Sequence, residues 1–164
     1  MAERRRGRLR QAVGDALRNR GRKGNARRRE ERGIDASATG GIVVSYAPER
    51  DGDADPGEVV WTWVPYEDDP AKGKDRPVLI LGHAGPLLAG VPLSSRDHDG
   101  RRDEHEWVPV GRGAWDGSGR PSYADASRLL RIRPGDVRRE GAALHENRCL
   151  EVLDRVTDLH DWRP

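Results

Sequence analysis

Gly57-Glu58-Val59-Val60-Trp61-Thr62-Trp63-Val64-Pro65, followed by Gly73-Lys74-Asp75-Arg76-Pro77-Val78-Leu79-Ile80-Leu81, reads as two β-strands joined by a long polar loop. Val59 to Val64 is rich in β-branched and aromatic side chains, which suit a pleated, half-buried surface. The apolar run over residues 76–82 is short enough for a buried strand. Pro77 locks its own φ and pushes Arg76 toward extended backbone, so an arginine is held at the mouth of the second strand. A restrained, permanently charged fork of donors suits phosphate.

Outward from this pair, strand signals follow closely. Residues 87–94 predict a third strand, in which Pro92 implies an edge or a bend. Glu104–Val110 predicts a fourth, and Gly111–Gly119 a glycine-rich loop around Trp115. A fifth lies within 122–132 and ends at the turn signal Arg133-Pro134-Gly135. The period then changes. Ala142, Ala143, Leu144, Leu150, Val152, Leu153 and Val156 fit an amphipathic helix of about four turns, preceded by Gly141. Short strands followed by one helix describe a mainly β (α+β) fold: a small barrel-like sheet capped by a C-terminal helix.

The chain has 164 residues, of which 34% are hydrophobic and 35% charged, so only part of it is expected to pack into a core. Residues 1–33 hold 13 Lys/Arg against 4 Asp/Glu, whereas the rest holds 17 against 24. A basic arm on an acidic body suits a tail that is disordered and solubilising, that meets polyanions, or that contacts a partner. Leu9, Val13 and Leu17 allow a weak helix in it, which its glycines oppose. The division expected is an arm over 1–34, a linker over 35–56 with a short strand at Ile42–Tyr46, and a folded domain over 57–160. The lone Cys149 excludes an internal disulfide and reads as a small core residue. No membrane span or export signal is read, and a cytoplasmic location is expected. Asp51-Gly52-Asp53-Ala54-Asp55 lacks the later ligands of a calcium loop and reads as a solvated turn. Asp97, His98, Asp99, Asp103, Glu104 and His105 match no standard zinc spacing and read as a solvated hairpin.

The G-[DE]-hydrophobic-V-W strand, the flexible loop and the R-P-hydrophobic strand resemble the start of the MazF/PemK (Kid) toxins. The likeness extends from about 57 to 158. It implies the SH3-like, CcdB/MazF-type small barrel and a toxin of a type II toxin–antitoxin pair. The implied activity is metal-free, cofactor-free, sequence-selective cleavage of single-stranded RNA to a 2′,3′-cyclic phosphate and a 5′-OH. Implied partners are a cognate antitoxin and a second copy of the chain. The wording before Arg76 departs from the family's E-Q-x-G and reads Asp68-Asp69-Pro70-Ala71-Lys72-Gly73-Lys74, in a loop that is acidic where an RNA channel favours positive charge.

Carried over residue by residue, the resemblance makes Arg76 the catalytic arginine. Ser94, after Val91-Pro92-Leu93, becomes the hydroxyl at the strand end, and Asp125 the acidic position of the fifth strand. Ser95, Arg96, Lys74, Arg128 and Trp63 are expected to contact substrate, with Arg101, Arg102 and Arg131 adding to a basic track. The 2′ proton has several candidate acceptors: Asp125 or one of Glu67, Asp68, Asp69 and Asp75. Arg76 has a structural alternative, an ion pair with Asp125 or Asp75. Of Trp61 and Trp63, one is expected in the core and the other at a subunit contact or stacked on a base. A rival reading keeps the barrel without catalysis, as a nucleic-acid- or protein-binding module or a CcdB-like toxin directed at gyrase.

Overall fold

The computed structural model describes residues 42–49 and 52–160. Over them run β1 (Ile42–Val44), β2 (Glu58–Pro65), β3 (Gly73–Ala84), β4 (Leu87–Ser94), β5 (Trp107–Gly111), β6 (Ser122–Asp125), β7 (Leu130–Ile132), β8 (Val137–Ala143) and one helix, α1 (Glu146–His160). The strands are antiparallel in the order β5-β6-β4-β3-β2-β8, with β1 added to β3 and β7 to β4. Because β5 and β8 end this path, the barrel-like sheet is not fully closed among the described residues. The expectations for the arm, for residues 35–41 and for Asp51 lie outside the described residues.

Period-two alternation sorts the central strands onto two sides. Val59, Leu79, Leu81, Val91 and Leu93 face the main core, where they meet Val152, Leu153 and Val156 of α1. Val60, Val64, Val78, Ile80 and Leu88 face the other way and form a smaller cluster with Ile132. The apolar run of β3 is therefore buried on both faces, as its composition predicts. Pro92 is not on an edge strand. It lies where β4 exchanges its partner β7, paired at Leu88–Gly90, for β6, paired at Leu93–Ser94, so its missing N–H falls in the gap.

The short strand expected within the linker forms as β1 on β3, over Ile42–Val44, and Tyr46 Oη donates to Leu144 O at 2.9 Å. Gly82 makes this possible. A Cβ there would stand 2.0 Å from Val43 O, a backbone atom with no room to yield. Gly82→Ala is expected to release β1 and expose Ile42, a loss of about 1.5–3 kcal/mol. Hydrogen exchange reads it: the Val43 and Val44 amides lose protection while those of the β2–β3 ladder keep it.

Three boundaries differ from expectation. Glu104–Glu106 is a turn of 3-10 helix, and the strand begins only at Trp107. The segment 122–132 breaks in two because Asp125 Oδ1 accepts from Ser127 N at 3.1 Å and Ser127 Oγ at 2.6 Å, closing a turn. Ala142 and Ala143 belong to β8, and the helix starts at Glu146, after His145 Nδ1 accepts the Asn147 N–H at 3.3 Å. The tryptophans also differ. Standing two apart on β2, they share a face rather than dividing between core and surface. Trp61 is half-buried and donates to Trp115 O at 2.9 Å, whereas Trp63 is 43% exposed. The core tryptophan is Trp115, whose Nε1 donates to Ser122 Oγ at 3.1 Å. Gly113 leaves space for its ring, since a Cβ there would lie 2.1 Å away.

Helix α1 buries Cys149, Val152, Leu153 and Val156, the i, i+3, i+4, i+7 stripe of a core-facing helix. Burial, with Glu146 adding to it, pushes the Cys149 thiol up to about 12. The native protein is therefore expected to resist a thiol reagent at neutral pH and to take up one equivalent in denaturant, which a colorimetric thiol titration checks. No helix among the described residues is long and apolar enough to cross a membrane.

Candidate active site

Strand register brings the candidate residues together. Val78 pairs with Pro92 across β3 and β4, and one more step along that register sets Arg76 opposite Ser94. Leu93 pairs with Ala124 and Ser94 with Tyr123, so one step back from Leu93 sets Asp125 opposite Pro92. Asp125 in turn pairs with Trp107 of β5. Opposed residues share a face, and neighbouring strands lie about 4.8 Å apart. Arg76, Ser94, Asp125 and Trp107 thus form a row across four adjacent strands, on the side away from α1. The smaller apolar cluster covers the other end of that side.

Together with Tyr66, Glu67, Asp68, Arg96, His98 and Arg128, this row lines an open cavity of about 370 Å³. That is within the roughly 300–1,000 Å³ of ligand sites. Burial lowers the Arg76 pKa from its ordinary value and Arg128 adds to the effect, against Tyr66 and Asp125, which raise it. A guanidinium remains charged throughout working pH even so. Asp75, next in sequence, turns to the other side of β3 and pairs with Arg138 at 3.2 Å, so it does not hold Arg76. Ser94 Oγ accepts the Arg96 N–H at 3.1 Å, which orients the hydroxyl and leaves its own hydrogen to donate elsewhere. Asp125 accepts both Ser127 bonds, from the backbone N–H and from the hydroxyl, on Oδ1. Arg128 straps the cavity rim, donating to Pro65 O, with its Nε 3.6 Å from Glu67 Oε1.

The other expected residues divide. Arg96 and Arg128 line the cavity, and of the acidic candidates Glu67 and Asp68 do so as well. Ser95 is exposed in the bend after β4, and Lys74 is exposed two residues farther out along β3. Neither is among the lining residues. Trp63 is on the opposite side of the sheet from Arg76, because it shares a face with Val59 and pairs with Asp75. Arg101 and Arg102 line a neighbouring cavity, while Arg131 pairs with Ala89 far along β4.

The segment expected to be a solvated hairpin instead supplies part of the wall. His98 is only 7% exposed. Its ring stacks on Trp107 with centroids 3.7 Å apart and 13° between planes. Asp103 Oδ2 lies 3.1 Å from His98 Nδ1 and accepts from Trp107 Nε1, also at 3.1 Å. Desolvation pushes the Asp103 carboxyl up, but the bonds from Trp107, its own backbone and His98 outweigh this and hold it below the usual carboxylate range. The one advance signal was an aromatic residue, Trp107, within reach of a crowded acidic and imidazole segment.

Among solved structures, the chain is similar to the Mycobacterium tuberculosis toxin MazF-mt6, with 18% identity and a TM-score of 0.48 over 65% of this chain and 99% of that one. It is also similar to MazE-MazF from Deinococcus radiodurans, with 21% identity and a TM-score of 0.49 over 67% and 98%. A third similar structure is an endoribonuclease in complex with its cognate antitoxin from a mycobacterial species, at 15% identity and a TM-score of 0.48 over 72% and 99%. No curated protein matches the sequence. The model of the PemK-like, MazF-like toxins of type II toxin–antitoxin systems matches residues 55–160, nearly all of the sheet together with the helix, and the chain belongs to that family.

Proposed function

We propose that this toxin is a metal-independent endoribonuclease that cuts single-stranded RNA by attack of a ribose 2′-OH on the adjacent phosphorus. The observation that carries the reading is the row Arg76, Ser94 and Asp125 along one open cavity. Each residue answers a requirement of the reaction. Charge that grows on the non-bridging oxygens needs fixed donors, which the Arg76 fork and the Ser94 hydroxyl supply. The 2′-OH must lose a proton, and Asp125, held through Oδ1, is a carboxylate lining the same cavity whose charge acts on Arg76. Arg96 and Arg128 attract the flanking phosphates, offsetting Glu67 and Asp68 on the same rim. The reading carries two partners with it, a cognate antitoxin that covers the cavity and a second copy of the chain. It also keeps residues 1–34 as a basic arm beside a toxin domain over 57–160, to which β1 adds a strand from residues 35–56.

The test is incubation with a single-stranded oligoribonucleotide in EDTA, beside an oligodeoxyribonucleotide of the same sequence. Cleavage of the RNA alone is expected, because DNA lacks the attacking hydroxyl. Binding of both without cleavage of either would favour a module that only binds.

A further inference from the structure

The proposed reaction lacks one part. The leaving 5′ oxygen departs as an alkoxide unless a proton reaches it, and a guanidinium does not give one up. His98 has the chemistry required and lines the same cavity as Arg76, Ser94 and Asp125. It is buried, and among the described residues its Nε2 has no hydrogen-bond partner. A buried polar atom in that condition calls for an explanation, and a ligand atom that completes the pair is one.

The environment also settles which proton is transferable. Ionised Asp103 can only accept, and its Oδ2 already receives the Trp107 N–H. The hydrogen between Asp103 and His98 therefore sits on Nδ1, so the exchangeable position is Nε2. The Trp107 indole, stacked flat on the imidazole, fixes the plane of the ring. Trp107 stands opposite Asp125 in the β5–β6 register, so the fixed imidazole is tied to the same row as the proton acceptor. A carboxylate that orients an imidazole through Nδ1 while Nε2 handles the proton is a recurring catalytic arrangement.

We propose that His98 is the general acid of this site, positioned by Asp103 and Trp107, an inference that rests on the endoribonuclease reading. The 2′-hydroxyl proton passes to Asp125 as the O2′–P bond forms. The P–O5′ bond breaks, and His98, entering as the imidazolium with Nδ1–H held by Asp103, gives its Nε2 proton to O5′ and is left neutral, yielding the cyclic phosphate and a free 5′-hydroxyl. As the products leave the cavity, Asp125 gives up its proton and His98 Nε2 takes one up, which restores the starting state.

The experiment compares ordinary RNA with the same RNA carrying sulfur in place of the bridging O5′ at the scissile bond. A thiolate leaves without protonation, so the sulfur substrate bypasses a general acid. His98→Ala and His98→Gln are expected to cleave ordinary RNA about 10²- to 10⁴-fold more slowly than the native protein. On the sulfur substrate they are expected to come within a few-fold of it, which also shows that the variant site is folded. Equal losses on both substrates in both variants, or no loss in either, would overturn the acid role while leaving the nuclease reading in place. A native protein inert on both substrates would instead remove the nuclease reading itself.

Discussion

Arg76→Ala is expected to slow RNA cleavage by about 10³-fold with the fold unchanged. The magnitude follows from removing a charged pair of donors aimed at developing negative charge, where single uncharged donors already account for about 10²–10³. Stability is expected to stay within about 0.5 kcal/mol, because the Arg76 side chain is only partly buried and lines the open cavity. Burial and the neighbouring Arg128 both work against the charge at position 76, so its loss relieves the folded state. Single-turnover cleavage together with a urea melt of the same preparation checks both halves of this prediction. A structural arginine would give the reverse pattern, with stability falling and cleavage following it down. Arg76→Lys is expected to recover little, since a point charge lacks the paired geometry that a phosphate takes up.

The largest stability effect is expected at Leu79. Its side chain is fully buried in the main core, on the central strand between β2 and β4. Leu79→Ala removes apolar contacts and leaves a cavity that paired strands on both sides cannot close, at a cost of about 2–5 kcal/mol. Against the 5–15 kcal/mol of a typical domain, that is a large share of the total. Urea unfolding should show a lower midpoint with an unchanged slope. The same change at Leu87, partly buried at the start of β4, should cost much less.

Legibility followed the physics of each segment. The β2–β3 pair and the third strand stood out because their apolar patterns admit few other solutions, and Pro77 marked where the arginine would sit. The meeting of Arg76 and Ser94 was foreseen through resemblance, but the cause is register, which depends on pairing between distant strands that no local pattern encodes. Ala142-Ala143-Leu144 reads as helix in the sequence because a short apolar run has no period of its own. What decides it is the vacant edge of β2, filled by β8. The break after Asp125 was hidden in a run of strand-like residues, since only the Ser127 contacts reveal the turn. His98 is where the sequence pattern and the structure differ most. Its neighbours in sequence are acidic and exposed, and Trp107, the one local signal, does not by itself show that the imidazole stacks inside rather than facing water.

End-group analysis of the cleaved RNA tests the central claim most directly, because the product records which oxygen attacked. Attack by the 2′-hydroxyl within this cavity predicts a 2′,3′-cyclic phosphate on one fragment and a 5′-hydroxyl on the other, both absent with Arg76→Ala. A 5′-phosphate and a 3′-hydroxyl would mean that water attacked instead, and would contradict the account.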